Sequence, residues 1–113
     1  MDERLEKLKA LGCDVDAALA RFMGDEQLYF TCFESLKSDE NFEKLGDALG
    51  KSDAKGAFHY AHMLKGVYAN MGMTPIYNDC VAIVEPLRSG SCTETLLESY
   101  RSMQQFMQTI RAI

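Results

Sequence analysis

Apolar residues recur at three- and four-residue spacings along almost the whole 113-residue chain. No stretch alternates apolar and polar residues over six positions with β-branched enrichment, which is the pattern of a half-buried strand. The observed spacing places apolar side chains on one face of a helix at every turn. The sequence therefore predicts an all-α fold, and its length suits a single domain with one core.

Capping and turn residues divide this pattern into helices. The predicted N-cap residues are Asp14, Asp25, either Ser52 or Asp53, and Thr74. Pro75 suits the first turn of the helix that follows Thr74. The predicted helices run over about 3–11, 15–23, 25–37, 42–49, 54–71, 75–88 and 93–110. Short connections favour antiparallel neighbours, so we expect an up-down four-helix bundle with short additional N-terminal helices.

We expect one domain over residues 1–113, with N-terminal cover helices at 1–24 and the helical bundle at 25–113. The chain has 12 Lys and Arg against 17 Asp and Glu, a net charge of −5. This balance argues against nucleic-acid binding and against an anionic lipid surface, because both demand positive charge. The charged N-terminus has no apolar signal segment, and no run of about 18 apolar residues occurs. A cytoplasmic location is predicted.

The four cysteines are widely separated, at Cys13, Cys32, Cys80 and Cys92. They form no C-x-x-C pair and have no histidine at metal-ligand spacing, so we interpret them as free thiols in a reducing compartment. No inward-facing Glu-x-x-His pairs indicate a metal-binding bundle enzyme, and no G-x-x-x-x-G-K-[ST] motif indicates autonomous kinase activity. The sequence thus predicts neither an enzyme nor a bound metal or cofactor.

The predicted helix over 54–71 has two distinct faces. At about 100° per residue, its core face consists of Ala57, Ala61, Leu64 and Tyr68. A second stripe lies roughly 130° around the helix; it comprises Lys55, His59, His62, Gly66 and Ala69. Phe58 and Lys65 fall on the shoulder between the two faces. We therefore expect an accessible His62 with apolar surface beside it.

The residues around His62 suit nucleophilic chemistry on a phosphoryl group. An accessible imidazole is a competent nucleophile near neutral pH because much of it is unprotonated. Lys65 lies one turn further on, where its ammonium can offset phosphoryl charge. Gly66 costs about 0.8–1 kcal/mol relative to alanine inside a helix, so its presence suggests that something must approach the backbone closely there. A docked partner protein is the simplest explanation.

The run Ala61-His62-Met63-Leu64-Lys65-Gly66, with Ala69-Asn70 and Gly72 after it, resembles the A-H-x-L-K-G-x-x-x-N-x-G signature of histidine-containing phosphotransfer (HPt) domains. Segments at 14–19, 24–29, 45–49 and 85–90 also resemble this family, in the same order. The resemblance implies a four-helix bundle and a phosphorelay role. Two residues depart from the pattern: the family usually has a small residue at the position of Tyr68, and many members have ordinary helix formers at the position of Pro75. These departures predict an unusual shape near the site.

What the resemblance implies for individual residues is specific. His62 would accept a phosphoryl group from the aspartyl phosphate of a response-regulator receiver domain and pass it to another receiver. Lys65 would stabilise charge and Gly66 would give steric access, while Mg²⁺ would belong to the receiver. From their positions on the helix, and not from the resemblance, we expect Phe58, His59, Ala69 and Lys55 to form the docking surface. A hybrid sensor histidine kinase is a second candidate partner, and we expect a monomer.

Two alternatives stay open at this point. His59 and Lys55 are also the kind of residue that is simply exposed to solvent, without any role in a site. The chain as a whole could be an HPt-like docking module that binds a receiver or kinase without carrying phosphate. Such a module would have the same fold and surface, although retention of His62, Lys65 and Gly66 together argues against it.

Overall fold

The computed structural model describes residues 2–91 and 94–113, which form seven α-helices and contain no strand. The helices are α1 (Glu3–Ala10), α2 (Val15–Arg21), α3 (Glu26–Lys37), α4 (Asn41–Gly50), α5 (Ala54–Asn70), α6 (Thr74–Arg88) and α7 (Glu94–Arg111). The predicted all-α fold is confirmed. The predicted free thiol at Cys92 and the predicted helix start at Thr93 lie outside the described residues.

Four helices form the bundle. In chain order α4 packs against α5, α5 against α6 and α6 against α7, and α7 closes the ring against α4. The connections at 51–53 and 71–73 are short, so consecutive helices lie side by side and antiparallel. Helices α1, α2 and α3 pack in succession, and α3 also contacts α7. The predicted division at residue 24 stays a prediction.

The core is apolar and draws on every described helix. From α5 it takes the four residues that the periodicity assigns to the core face, Ala57, Ala61, Leu64 and Tyr68, all fully buried. Tyr68 therefore fills the interior and does not reach the exposed face around His62, so the predicted unusual shape near the site was wrong for this residue. Opposite α5 lie buried residues of the other bundle helices, among them Leu45, Ile83, Val84, Met103 and Met107.

Most of the predicted helix starts are confirmed. Asp14, Asp25 and Asp53 each accept a backbone hydrogen bond in the first turn of the following helix, at 3.2, 3.0 and 3.0 Å. Thr74 was wrong as an N-cap, because Met73 holds that position and Thr74 is already helical. Met73 is fully buried, so packing of its side chain fixes where the chain enters α6 without a side-chain cap.

The described cysteines behave as small apolar residues. Cys13, Cys32 and Cys80 are free thiols, and Cys13 and Cys80 are buried. Burial raises the pKa of the Cys13 thiol to about 11 and, as the main cause, that of Cys80 to about 12. Because the thiolate is the reactive form, neither buried thiol is suited to redox chemistry near neutral pH.

Candidate functional site

The candidate site lies on α5, whose two ends are fixed by specific contacts. At its start the Asp53 carboxylate accepts a hydrogen bond from the Gly56 backbone N–H at 3.0 Å. After its end Gly72 has a φ of +73°, and an added Cβ there would collide with the backbone carbonyl of Asp14. Glycine is needed at this position for both its backbone conformation and its lack of a side chain. These contacts thus fix where α5 begins and ends.

The predicted stripe faces solvent. Lys55, His59, His62, Gly66 and Ala69 are all exposed. Phe58 and Lys65 are half-buried, as expected for residues on the shoulder between the stripe and the core. Met63, beside His62 in sequence, is also exposed, with half of its surface accessible. The structure therefore brings all the predicted site residues together on one side of α5, while their roles stay predictions.

The two histidines of the stripe have different aromatic neighbours. The His62 imidazole stacks on the Phe58 ring, with ring centroids 5.7 Å apart and planes at 11°. The His59 imidazole meets Tyr60 edge to face, with centroids 5.4 Å apart and planes at 68°. Within the described ranges, neither ring nitrogen of His62 has a hydrogen-bond partner, so both are open to a ligand or to water.

Gly66 and Lys65 flank the imidazole one turn further along α5. A Cβ built on Gly66 would meet nothing within 4 Å, so packing within this chain does not demand glycine. The space over Gly66 is therefore open to a group that approaches from outside the chain. Among residues 2–91 and 94–113, Lys65 forms no ion pair, which leaves its ammonium available to an incoming anion.

A groove next to the stripe was not predicted. It has a volume of about 490 Å³ and is lined by Ala54, Lys55, Phe58, Leu87, Arg88 and Gly90. The Arg88 guanidinium lies 5.6 Å from the Phe58 ring centroid, within cation–π range, and its Nε donates to Glu85 at 3.3 Å. The antiparallel α5–α6 pair brings the end of α6 beside the start of α5. The antiparallel pairing of α5 and α6, which the short connection predicts, is the sequence signal from which Arg88 could have been placed beside Phe58.

The C-terminal end of α5 is bound by the N-terminal part of the chain. The last carbonyls of a helix lack partners within it. Here Arg21 donates to the carbonyls of Ala69 and Asn70 at 3.1 and 3.0 Å. Tyr29 donates its hydroxyl to the Met71 carbonyl at 2.9 Å, and the Asp14 N–H donates to Gly72 at 2.8 Å. Four consecutive carbonyls are thus satisfied from α2, α3 and the turn before α2.

Two further findings concern the part of the chain that the structure describes. No group of three or more His, Cys, Asp or Glu side chains is placed to hold a metal ion. None of its helices is both long enough and apolar enough to cross a lipid bilayer.

A helical bundle that exposes a histidine, with a neighbouring lysine and glycine, from one of its long helices has the architecture of a phosphotransfer module. In agreement with this class, a family model described as Hpt domain matches residues 36–113. The chain belongs to the Hpt domain family. The comparisons with curated proteins and with solved structures find no match. The resemblance of segments 14–19 and 24–29 precedes the matched region and stays a prediction.

Membership of this family fixes the broad role. Hpt domains take part in histidine phosphotransfer within phosphorelay signalling, and they interact with response-regulator receivers of two-component systems. They carry phosphoryl groups rather than act as enzymes in the ordinary sense. The match covers α4 to α7 and the last residues of α3, whereas α1, α2 and most of α3 precede it.

Proposed function

We propose that this chain accepts a phosphoryl group on His62 from the aspartyl phosphate of a receiver domain and passes it to another receiver. The observation that carries the proposal is the exposed His62 imidazole, stacked on Phe58 and followed by open space over Gly66. A receiver loop can approach the ring there without meeting a side chain at position 66. His59 has neither the stacked arrangement nor the matching lysine and glycine.

The proposed step is an in-line displacement. The lone pair of one His62 ring nitrogen forms a bond to phosphorus while the bond from phosphorus to the receiver's aspartate oxygen breaks. The aspartate leaves as a carboxylate with the bonding electrons, and the imidazole loses the proton on its other nitrogen to water. Onward transfer reverses these changes on a second receiver. Mg²⁺ belongs to the receiver in this scheme.

The neighbours of His62 have distinct parts in the proposal. Lys65, which has no ion-pair partner among the described residues, offsets the charge of the phosphoryl group as a point cation. Gly66 and Ala69 give the partner access to the backbone. Lys55, Phe58 and His59 complete a docking surface on the same side of α5. A monomer suffices, because one accessible histidine needs no second subunit.

The proposal also includes a cytoplasmic location and a hybrid sensor histidine kinase as a second candidate partner. Free thiols at Cys13, Cys32 and Cys80 support a reducing compartment. The acidic balance of the chain, with a net charge of −5, speaks for protein partners rather than nucleic acid or an anionic membrane.

The test is phosphoryl transfer from purified receiver domains that have been phosphorylated with a small acyl phosphate and Mg²⁺. We expect an acid-labile label on the native chain, seen on a phosphate-affinity gel, and no label on the His62→Gln variant. His59→Gln is the matched control on the same helix: it removes a docking residue but not the acceptor, so the variant should still take up the label. A labelled His62→Gln variant would contradict the assignment. Binding of a receiver without label on the native chain would instead identify the docking module.

A further inference from the structure

Among the described residues, the His62 ring has one aromatic contact and no hydrogen bond. A histidine has two side-chain torsions, and the second is broad, so an exposed imidazole samples many ring planes. Within the described ranges no hydrogen bond fixes either ring nitrogen of His62. The Phe58 ring, one turn earlier on α5, lies nearly parallel to it at 11° with centroids 5.7 Å apart. The stack is therefore the contact on which an argument about the ring plane can be based.

Phe58 is itself held in place. It is half-buried and packs against the core, whereas the residues of the stripe are exposed. The Arg88 guanidinium from α6 lies 5.6 Å from its ring centroid. Cation–π contacts of this kind favour a guanidinium over the face of an aromatic ring. Contacts from two helices thus fix the ring on which the imidazole rests.

We propose that Phe58 is a positioning residue, which holds the plane of the His62 imidazole so that a ring nitrogen is aligned for in-line attack, and that Arg88 supports it from α6. The inference rests on the proposed function of His62. It goes beyond a docking contact, because a docking residue acts on how tightly the receiver binds. A positioning residue acts on how fast phosphate moves once the receiver is bound, since alignment lowers the barrier of the chemical step.

The two roles separate in single-turnover transfer from a phosphorylated receiver. The plateau rate at saturating Hpt chain reports alignment, and the concentration that gives half of that rate reports docking. Phe58→Leu keeps an apolar side chain but removes the flat ring. We expect its plateau rate to fall by about 2- to 12-fold, the population change that corresponds to loss of an aromatic stack. Because Phe58 also belongs to the proposed docking surface, the half-saturating concentration can rise as well, but the fall in plateau rate is the result that identifies positioning, and Phe58→Tyr should restore that rate.

Tyr60→Leu is the matched control, because it removes the aromatic neighbour of His59 on the same helix. Its plateau rate should equal that of the native chain. Arg88→Gln is a second variant that leaves Phe58 in place, and we expect a smaller fall in plateau rate in the same direction. A second readout is the ring-proton NMR shifts of His62 in the free chain, which should lose the ring-current displacement in Phe58→Leu and keep it in Phe58→Tyr.

The outcomes distinguish this inference from the proposed function. If the native chain accepts no phosphate on His62, the proposed function fails and the inference falls with it. If the native chain is phosphorylated but Phe58→Leu changes only the half-saturating concentration, Phe58 is a docking residue and the positioning role is refuted. An unchanged plateau rate together with unchanged His62 ring shifts would refute the stack itself.

Discussion

The exposed stripe of α5 and the C-terminal end of the same helix are built in opposite ways. Along the stripe, His62 and Gly66 face solvent, and an added Cβ at Gly66 would meet nothing. At the end of the helix, the carbonyls of Ala69 through Gly72 all accept hydrogen bonds from the N-terminal part of the chain. One region is left open to a partner, and the other is closed by the chain itself.

This difference separates function from stability along one helix. Residues of the stripe contribute little to folding, since they bury little surface and form few contacts within the chain. The donors at the helix end add hydrogen bonds to carbonyls of the last turn, two of which, at Asn70 and Met71, have no backbone donor among the described residues. Those donors are Asp14, Arg21 and Tyr29, and all three precede the family match at residues 36–113. The N-terminal part of the chain thus donates hydrogen bonds to the C-terminal end of α5, a helix that lies within the region matched by the family model.

The strongest test of the open region is Gly66→Leu. We expect transfer from a receiver to require a roughly 5- to 150-fold higher concentration, because forcing a side chain into a close contact costs about 1–3 kcal/mol. Stability should rise slightly, since glycine is among the poorest helix formers. Titration calorimetry with a receiver and urea unfolding would measure the two effects. Gly50→Leu, at the other helical glycine with open space around its Cβ, should leave receiver binding unchanged.

If Gly66→Leu binds its receiver normally, the open space over position 66 has no part in docking. The contrast between the two regions would then rest on His62 alone.

The closed region is tested by Arg21→Ala. The variant loses two hydrogen bonds to the carbonyls of Ala69 and Asn70 and a positive charge at a helix C-terminus. We expect the free energy of unfolding in urea to fall by about 1–2 kcal/mol, while the transfer rate of the folded protein stays at the native value. Arg101→Ala, an exposed arginine on α7, is the control for charge alone. Equal stability of the two variants would show that the helix end does not depend on Arg21.

Much of the fold could be predicted from sequence because its signals are local. Helical spacing of apolar residues located every described helix, and aspartates at positions 14, 25 and 53 marked three starts through first-turn hydrogen bonds. The start of α6 was predicted wrongly at Thr74, because Met73 is fixed by burial in the core. That packing comes from distant parts of the chain and leaves no local pattern.

The site residues likewise fall into those that local sequence predicts and those that depend on packing between helices. The spacing on α5 predicts that Lys55, His62 and Gly66 share an exposed face, since one helix fixes their relation. Arg88 and the groove beside Phe58 were missed because they depend on how α6 packs against α5. Arg21 was missed because its contact depends on how α2 packs against the end of α5. Its partners Ala69 and Asn70 lie almost fifty residues away in sequence.

Two buried tyrosines near the end of α5 give the finest test of the comparison. Tyr29 donates to the Met71 carbonyl at 2.9 Å, whereas the Tyr68 hydroxyl is buried and has no partner among the described residues. Burial raises the pKa of both phenols, so both stay protonated and can act as donors. Tyr29→Phe should therefore lower the free energy of unfolding by about 1 kcal/mol through loss of a hydrogen bond.

Tyr68→Phe should have no such cost, because it removes a hydroxyl that gains nothing from burial and keeps the ring that fills the core. We expect its free energy of unfolding to equal or slightly exceed that of the native chain in the same urea titration. A loss as large as that of Tyr29→Phe would mean that the Tyr68 hydroxyl is satisfied in solution. The closed region would then include a buried side-chain hydrogen bond of Tyr68 in addition to the hydrogen bonds at the carbonyls that end α5.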